Sequence, residues 1–146
     1  MRQKAFATAL LLALLLAAGC TDRIDYRLPA NPQAFIGSDF VNPDNPDDAY
    51  LSFTYNGRTY IPYGALQGRL TGKDVGPCLG YLLSGEVKDD HTRVFGLRAD
   101  PDGHWMAIIS RDGFMEQPSF WRAVDTVGQD IPVPEFIISL HYDFWE

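Results

Sequence analysis

Cysteine is nearly absent from this chain: Cys20 and Cys78 are the only two among 146 residues. A disulfide scaffold is thereby excluded. Histidine is as scarce, with His91, His104 and His141 alone and no two of them three or four positions apart. That spacing is what a helix needs to bring two imidazoles onto one metal, so no metal site is expected. Bases are outnumbered, 12 Lys and Arg against 19 Asp and Glu, which excludes the basic footprint of a nucleic-acid binder. The phosphate-cradling spacing G-x-x-x-x-G-K-[ST] is missing too, although "GALQGRLTGK" scatters glycines before a lysine. With neither metal nor phosphate loop, no cofactor is expected. No repeat recurs along the chain.

One long apolar stretch is present. Arg2 and Lys4 precede a run from Ala5 to Ala18 broken only by Thr8. It falls short of the roughly 20 residues of a membrane-spanning helix, and its charged start and small-residue exit describe an export signal. The exit is Ala17-Ala18-Gly19-Cys20, which resembles the lipobox of bacterial lipoprotein precursors. In that family the cysteine sulfur receives a diacylglyceryl group and the chain is cut just before it. The resemblance covers about the first twenty residues and implies cleavage between Gly19 and Cys20, with Cys20 as the lipidated residue. One departure stands out: the family most often has Leu three places before the cysteine, where this chain has Ala17. The resemblance implies an extracytoplasmic protein anchored to the cell membrane or the outer membrane. Thr21, rather than an aspartate, suggests the outer one where a host has two. Two or three acyl chains hold a protein to a membrane where one is marginal.

Behind Cys20 the text changes. Residues 20–48 carry Pro29, Pro32, Pro43 and Pro46 among Asn, Asp and Ser, and we read the lipidated cysteine and a flexible tether there. Asp44, Asp47 and Asp48 lack the glycine and closing glutamate of a calcium loop and read as a solvated acidic patch. From residue 49 to 146 the chain reads as a single globular domain. "YLSFTYNGRTYIPY" alternates around Asn56-Gly57, the signature of a two-residue hairpin turn. That register puts Leu51, Phe53, Tyr60 and Pro62 on one face, and Ser52, Thr54, Thr59 and Ile61 on the other. Further strands are expected at 78–83, with Gly80 marking a bulge or close approach, at 92–98 and at 104–110. Asp100-Pro101-Asp102-Gly103 supplies turn chemistry before the last. Toward the end, "QPSFWRAVD" suggests a helical turn or two. "VPEFIISLHY", with Pro134 at a first helical position, suggests a short C-terminal helix. The fold class expected is therefore α+β, a small mainly antiparallel sheet with a short C-terminal helix.

Catalysis has one candidate. Cys78 with His91, His104 or His141, the last oriented by Asp143, supplies the residue types of a cysteine hydrolase. Wall-trimming cysteine peptidases place their nucleophile in an Asp-Cys-Ser-Gly motif at a helix start, whereas "VGPCLGYLL" leads into a strand. A buried Cys78, sharing a strand face with Gly80 and Leu82, is the expectation, so no residue is assigned a catalytic role. Trp105, Trp121 and most of the other aromatics are expected in the core, with Trp145 the one to watch because it stands near the end of the sequence. The closing "DIPVPEFIISLHYDFW" also resembles small bacterial lipoproteins of uncharacterised role, a likeness that transfers no site. The reading is a membrane-tethered binding or accessory module of the cell envelope, with an envelope protein or a glycan as partner. The alternatives are a Cys78-dependent hydrolase and a small acidic inhibitor or immunity protein.

Overall fold

A computed structural model of the chain describes residues 22–84, 86–111 and 117–146. The expected leader, its expected junction at Gly19-Cys20, and Thr21 lie outside the described residues. What is described is almost entirely β. Nine strands form one sheet: β1 (Gln33–Ile36), β2 (Ser38–Asn42), β3 (Asn45–Tyr55), β4 (Arg58–Leu66), β5 (Val75–Ser84), β6 (Val87–Leu97), β7 (Trp105–Ser110), β8 (Ser119–Ala123) and β9 (Ile137–Ser139). Two single 3-10 turns, Val124–Thr126 and Asp143–Trp145, are the only helical pieces among these residues. The strand order is β1-β5-β6-β7-β8-β4-β3-β2, with β9 added to β4, and the sheet curls into a half-barrel. All pairings are antiparallel except that of β1 with β5.

The expected α+β class is thus corrected, and the reason lies at its C-terminal helix. Pairing of β3 with β4 runs only from Tyr55↔Arg58 to Phe53↔Tyr60, so the edge of β4 from Gly64 to Leu66 needs another partner. Ile137–Ser139 fills it, in register Gly64↔Ser139 and Leu66↔Ile137. Pro134 opens a turn, its carbonyl accepting the Ile137 N–H at 2.9 Å, instead of opening a helix. Gly64 permits the close approach, because a side chain there would collide with the Ile138 carbonyl. Two adjacent β-branched isoleucines favour the extended choice. The helical turns expected in "QPSFWRAVD" shrink likewise to the 3-10 turn after β8.

The tether expected over residues 20–48 is corrected as well. Its second half is β1, β2 and the start of β3. Pro43 and Asp44 are the turn of the β2–β3 hairpin, where proline presets the first turn dihedral and the Asn42 Oδ1 accepts the Asp44 N–H at 3.0 Å. Its first half packs on the domain: Ile24, Tyr26 and Leu28 lie against the core, and the Tyr26 ring meets Phe95 edge-on at 5.8 Å.

Two apolar cores result, one on each face of the sheet. Alternate residues of β7 separate them: Trp105, Ala107 and Ile109 on one side, Met106 and Ile108 on the other. The second core is the concave one, because Phe35 of β1 and Phe53 of β3 meet there at 5.2 Å although their strands stand near opposite ends of the sheet order. The convex core is covered by the residues around Tyr26, the loop after β4, and Ile131, Phe136 and Trp145. Double coverage buries part of the hairpin's second face as well, although Thr54 on it is exposed. Ile61 is fully buried, and Ser52 is buried with its hydroxyl donating to the Ser38 carbonyl at 3.0 Å. Leu51, expected inside, is exposed, for at that point β3 has left β4 and pairs with Asp39 of β2.

The turn itself is as the sequence reads. Asn56 and Gly57 both take positive φ, 49° and 76°, as a type I′ turn requires. Gly80 is a close approach: the Gln33 backbone fills the place of its missing side chain.

Candidate functional site

Where the β3–β4 turn and the 100–104 turn meet at the rim of the concave core, a cavity of about 280 Å³ opens. Tyr55, Arg58 and Tyr60 form one wall, Pro101 to Gly103 another, and Leu79 and Met106 are among the apolar residues lining it. Arg58 owes its place to the Asn56-Gly57 turn, which sets it directly opposite Tyr55. From there its guanidinium reaches four groups at once. Nε and Nη2 grip the Asp125 carboxylate at 2.9 and 2.7 Å. Nη1 donates to the Asp102 and Gly103 carbonyls, both at 2.8 Å. Nη2 also donates to His104 Nδ1 at 3.2 Å, while His104 Nε2 stands 3.8 Å from Asp102.

Tyr60 adds a hydroxyl bond to the Gly103 carbonyl at 2.7 Å. The turn at 100–104 is thus strapped to the hairpin by two side chains of one strand. Hydrogen bonding from Arg58 holds the Asp125 carboxyl below its usual range, and the same contact raises the arginine. Burial pushes the Tyr60 phenol up. The lining gives the cavity an apolar floor and a polar rim.

A second arginine is buried on the convex side. Arg122 lies among three aromatic rings, its guanidinium carbon 5.0 Å from the Trp145 ring, 5.5 Å from Trp105 and 5.7 Å from Tyr63. Its Nε donates to Thr126 Oγ1 at 2.8 Å, and Nη2 to the Thr126 and Gln129 carbonyls. No carboxylate stands among these partners, and burial lowers its pKa. Ring faces and carbonyl dipoles stabilise the cation instead. Trp145 is docked by this arrangement, with its indole N–H donating to the Pro62 carbonyl at 2.8 Å. Trp105 and Trp121 are both core residues.

The residues singled out from the sequence are dispersed. Cys78 is buried in the convex core, its thiol pushed up by burial and donating to the Gly80 carbonyl at 3.5 Å. Register shifts between Cys78 and Gly80 and between Tyr81 and Leu83 turn Leu82 toward the other core, so Cys78 and Leu82 do not share a face as expected. His91 is exposed on β6. His104 belongs to the Arg58 strap, and His141 is exposed with Nδ1 2.8 Å from Glu146 rather than oriented by Asp143. Asp44 and Asp47 are exposed around the β2–β3 turn, while Asp48 accepts a bond from Asn42.

Neither Arg58 nor Arg122 emerged from the sequence reading. The one available signal was position: Arg122 interrupts the apolar "SFWRA", and Arg58 directly follows the Asn-Gly turn. The groups that Arg58 binds, and the rings that enclose Arg122, lie too far along the chain for any local pattern to show them. No family model, curated protein or solved structure matches this chain.

Proposed function

We propose that this protein is a lipid-anchored, extracytoplasmic binding module. Acyl chains on Cys20 hold it at a membrane surface, and the rim cavity beside Arg58 receives a ligand or a projecting side chain of an envelope partner. The observation that carries the anchor is the apolar run closing on Ala-Ala-Gly-Cys20. The cavity supports binding because apolar residues and a rigid, fully engaged arginine frame a preformed recess.

Mass spectrometry of the membrane-extracted protein tests the reading. Acyl mass on an N-terminal Cys20 is expected, and Cys20→Ser is expected to leave the precursor uncut at this junction. A mature chain that begins elsewhere, with Cys20 unmodified, overturns it.

A further inference from the structure

The domain begins where the leader ends. Asp22 is already built into the fold: its carbonyl accepts the Gly72 N–H at 3.1 Å, and its carboxylate meets Lys73 Nζ at 2.8 Å. Two peptide steps separate it from Cys20, a reach of at most about 7 Å. Nothing of that length works as a tether. Whatever holds Cys20 therefore holds the face around Asp22.

That face differs in charge from the rest of the chain. Arg23, Arg27, Arg69, Lys73 and Arg98 are all exposed. Lys73 is paired with Asp22, and Arg27 with Asp25 at 2.6 Å. Arg98 donates to the Gly72 carbonyl at 3.1 Å, which sets it against the same loop. Arg69 is close enough to help hold the Asp22 carboxyl down. Asp74, the third acid here, is turned back onto the backbone and hydroxyl of Thr71. Neither Arg23 nor Arg69 forms a close ion pair among the described residues. The acids Asp39, Asp44 and Asp47 stand instead on the β2–β3 hairpin.

We infer that the face formed by residues 22–28 and 67–74, with Arg98, lies flat against anionic lipid headgroups. The inference rests on the Cys20 anchor and goes beyond it, from attachment to orientation. An overall acidic protein is not repelled in this pose. At physiological salt charges are screened within about 8 Å, so only the contacting face is felt by the lipid. The acyl chains supply the attachment, and the arginines select which side faces down.

Hydrogen exchange of the acylated protein tests this in two vesicle preparations, phosphatidylcholine alone and phosphatidylcholine with phosphatidylglycerol. Amides of 22–28 and 67–74 are expected to exchange more slowly on the anionic vesicles. About 0.5 M salt, where screening is nearly complete, should abolish the difference. The double variant Arg69→Glu/Lys73→Glu should abolish it as well while remaining vesicle-bound. Equal exchange on both vesicles by wild-type protein carrying acyl mass on Cys20 overturns the orientation and leaves the anchor standing. Absence of acyl mass on Cys20 overturns both.

Discussion

The guanidinium of Arg122 and the indole of Trp145 stack 5.0 Å apart across the convex core, joining a central strand to the last turn of the chain. Because the arginine has no carboxylate, the ring contributes to its electrostatic stabilisation. Trp145→Ala should lower stability by about 2 kcal/mol, below the loss for a fully buried tryptophan because this one is only half-buried. Arg122→Ala should cost about 3 kcal/mol by orphaning the Thr126 and Gln129 carbonyls. The double variant should lose less than the sum. Urea unfolding of the four proteins measures the coupling, and strict additivity would refute it.

Gly80 carries a second prediction. Any side chain there displaces the Gln33 backbone, so Gly80→Ala should detach β1 and cost more than about 3 kcal/mol. Gly96 on neighbouring β6 is the control, for nothing stands near its missing side chain and Gly96→Ala should stay within about 1 kcal/mol. Similar melting temperatures for the two variants would show that the β1–β5 seam is not packed as described.

A third concerns acid. The Asp125 carboxyl has its pKa lowered in the fold by Arg58, from an ordinary value of 3.8. Its contribution is therefore complete above that value and disappears as pH falls through the lower folded one. Asp125→Asn should be less stable than wild type at neutral pH, with the gap closing on the acid side. A gap independent of pH would mean that the strap does not depend on the ion pair. Arg58→Ala should cost about 2 kcal/mol at neutral pH and loosen the 100–104 turn, which near-neutral hydrogen exchange reads directly.

Much of the sheet was legible where local chemistry and final structure agree. Asn56-Gly57 dictates a turn whatever surrounds it, and Asp100 to Gly103 does the same, with Gly103 at φ 65° and its N–H on the Asp100 carbonyl. The failures came where a distant strand decided. Phe136, Ile137 and Leu140 satisfy a helical stripe, but only the open edge at Gly64 makes extension the better choice. The four prolines of the first segment looked incompatible with strands. Pro43 occupies a turn, and Pro46, second in β3, falls in the register shift between the Asn42–Asn45 and Val41–Ala49 pairs, so neither position needs a ladder N–H. The rim cavity was illegible for a similar reason: Arg58 and Asp125 meet only after four intervening strands are in place.

Gly37 is the single residue between β1, which pairs with β5, and β2, which pairs with β3. Ten consecutive residues thus serve both ends of the sheet, like a zip whose two tapes are sewn to one ribbon. Such a seam fixes an order of events. The β2 half can pair with its neighbour at once, but the β1 half waits for β5, from which three strands separate it in the chain. It is also the sheet's one parallel and weaker junction. Opening is expected to start early at such a junction, and the edge-on contact of Phe35 with Phe53 is the apolar pair that parts with it.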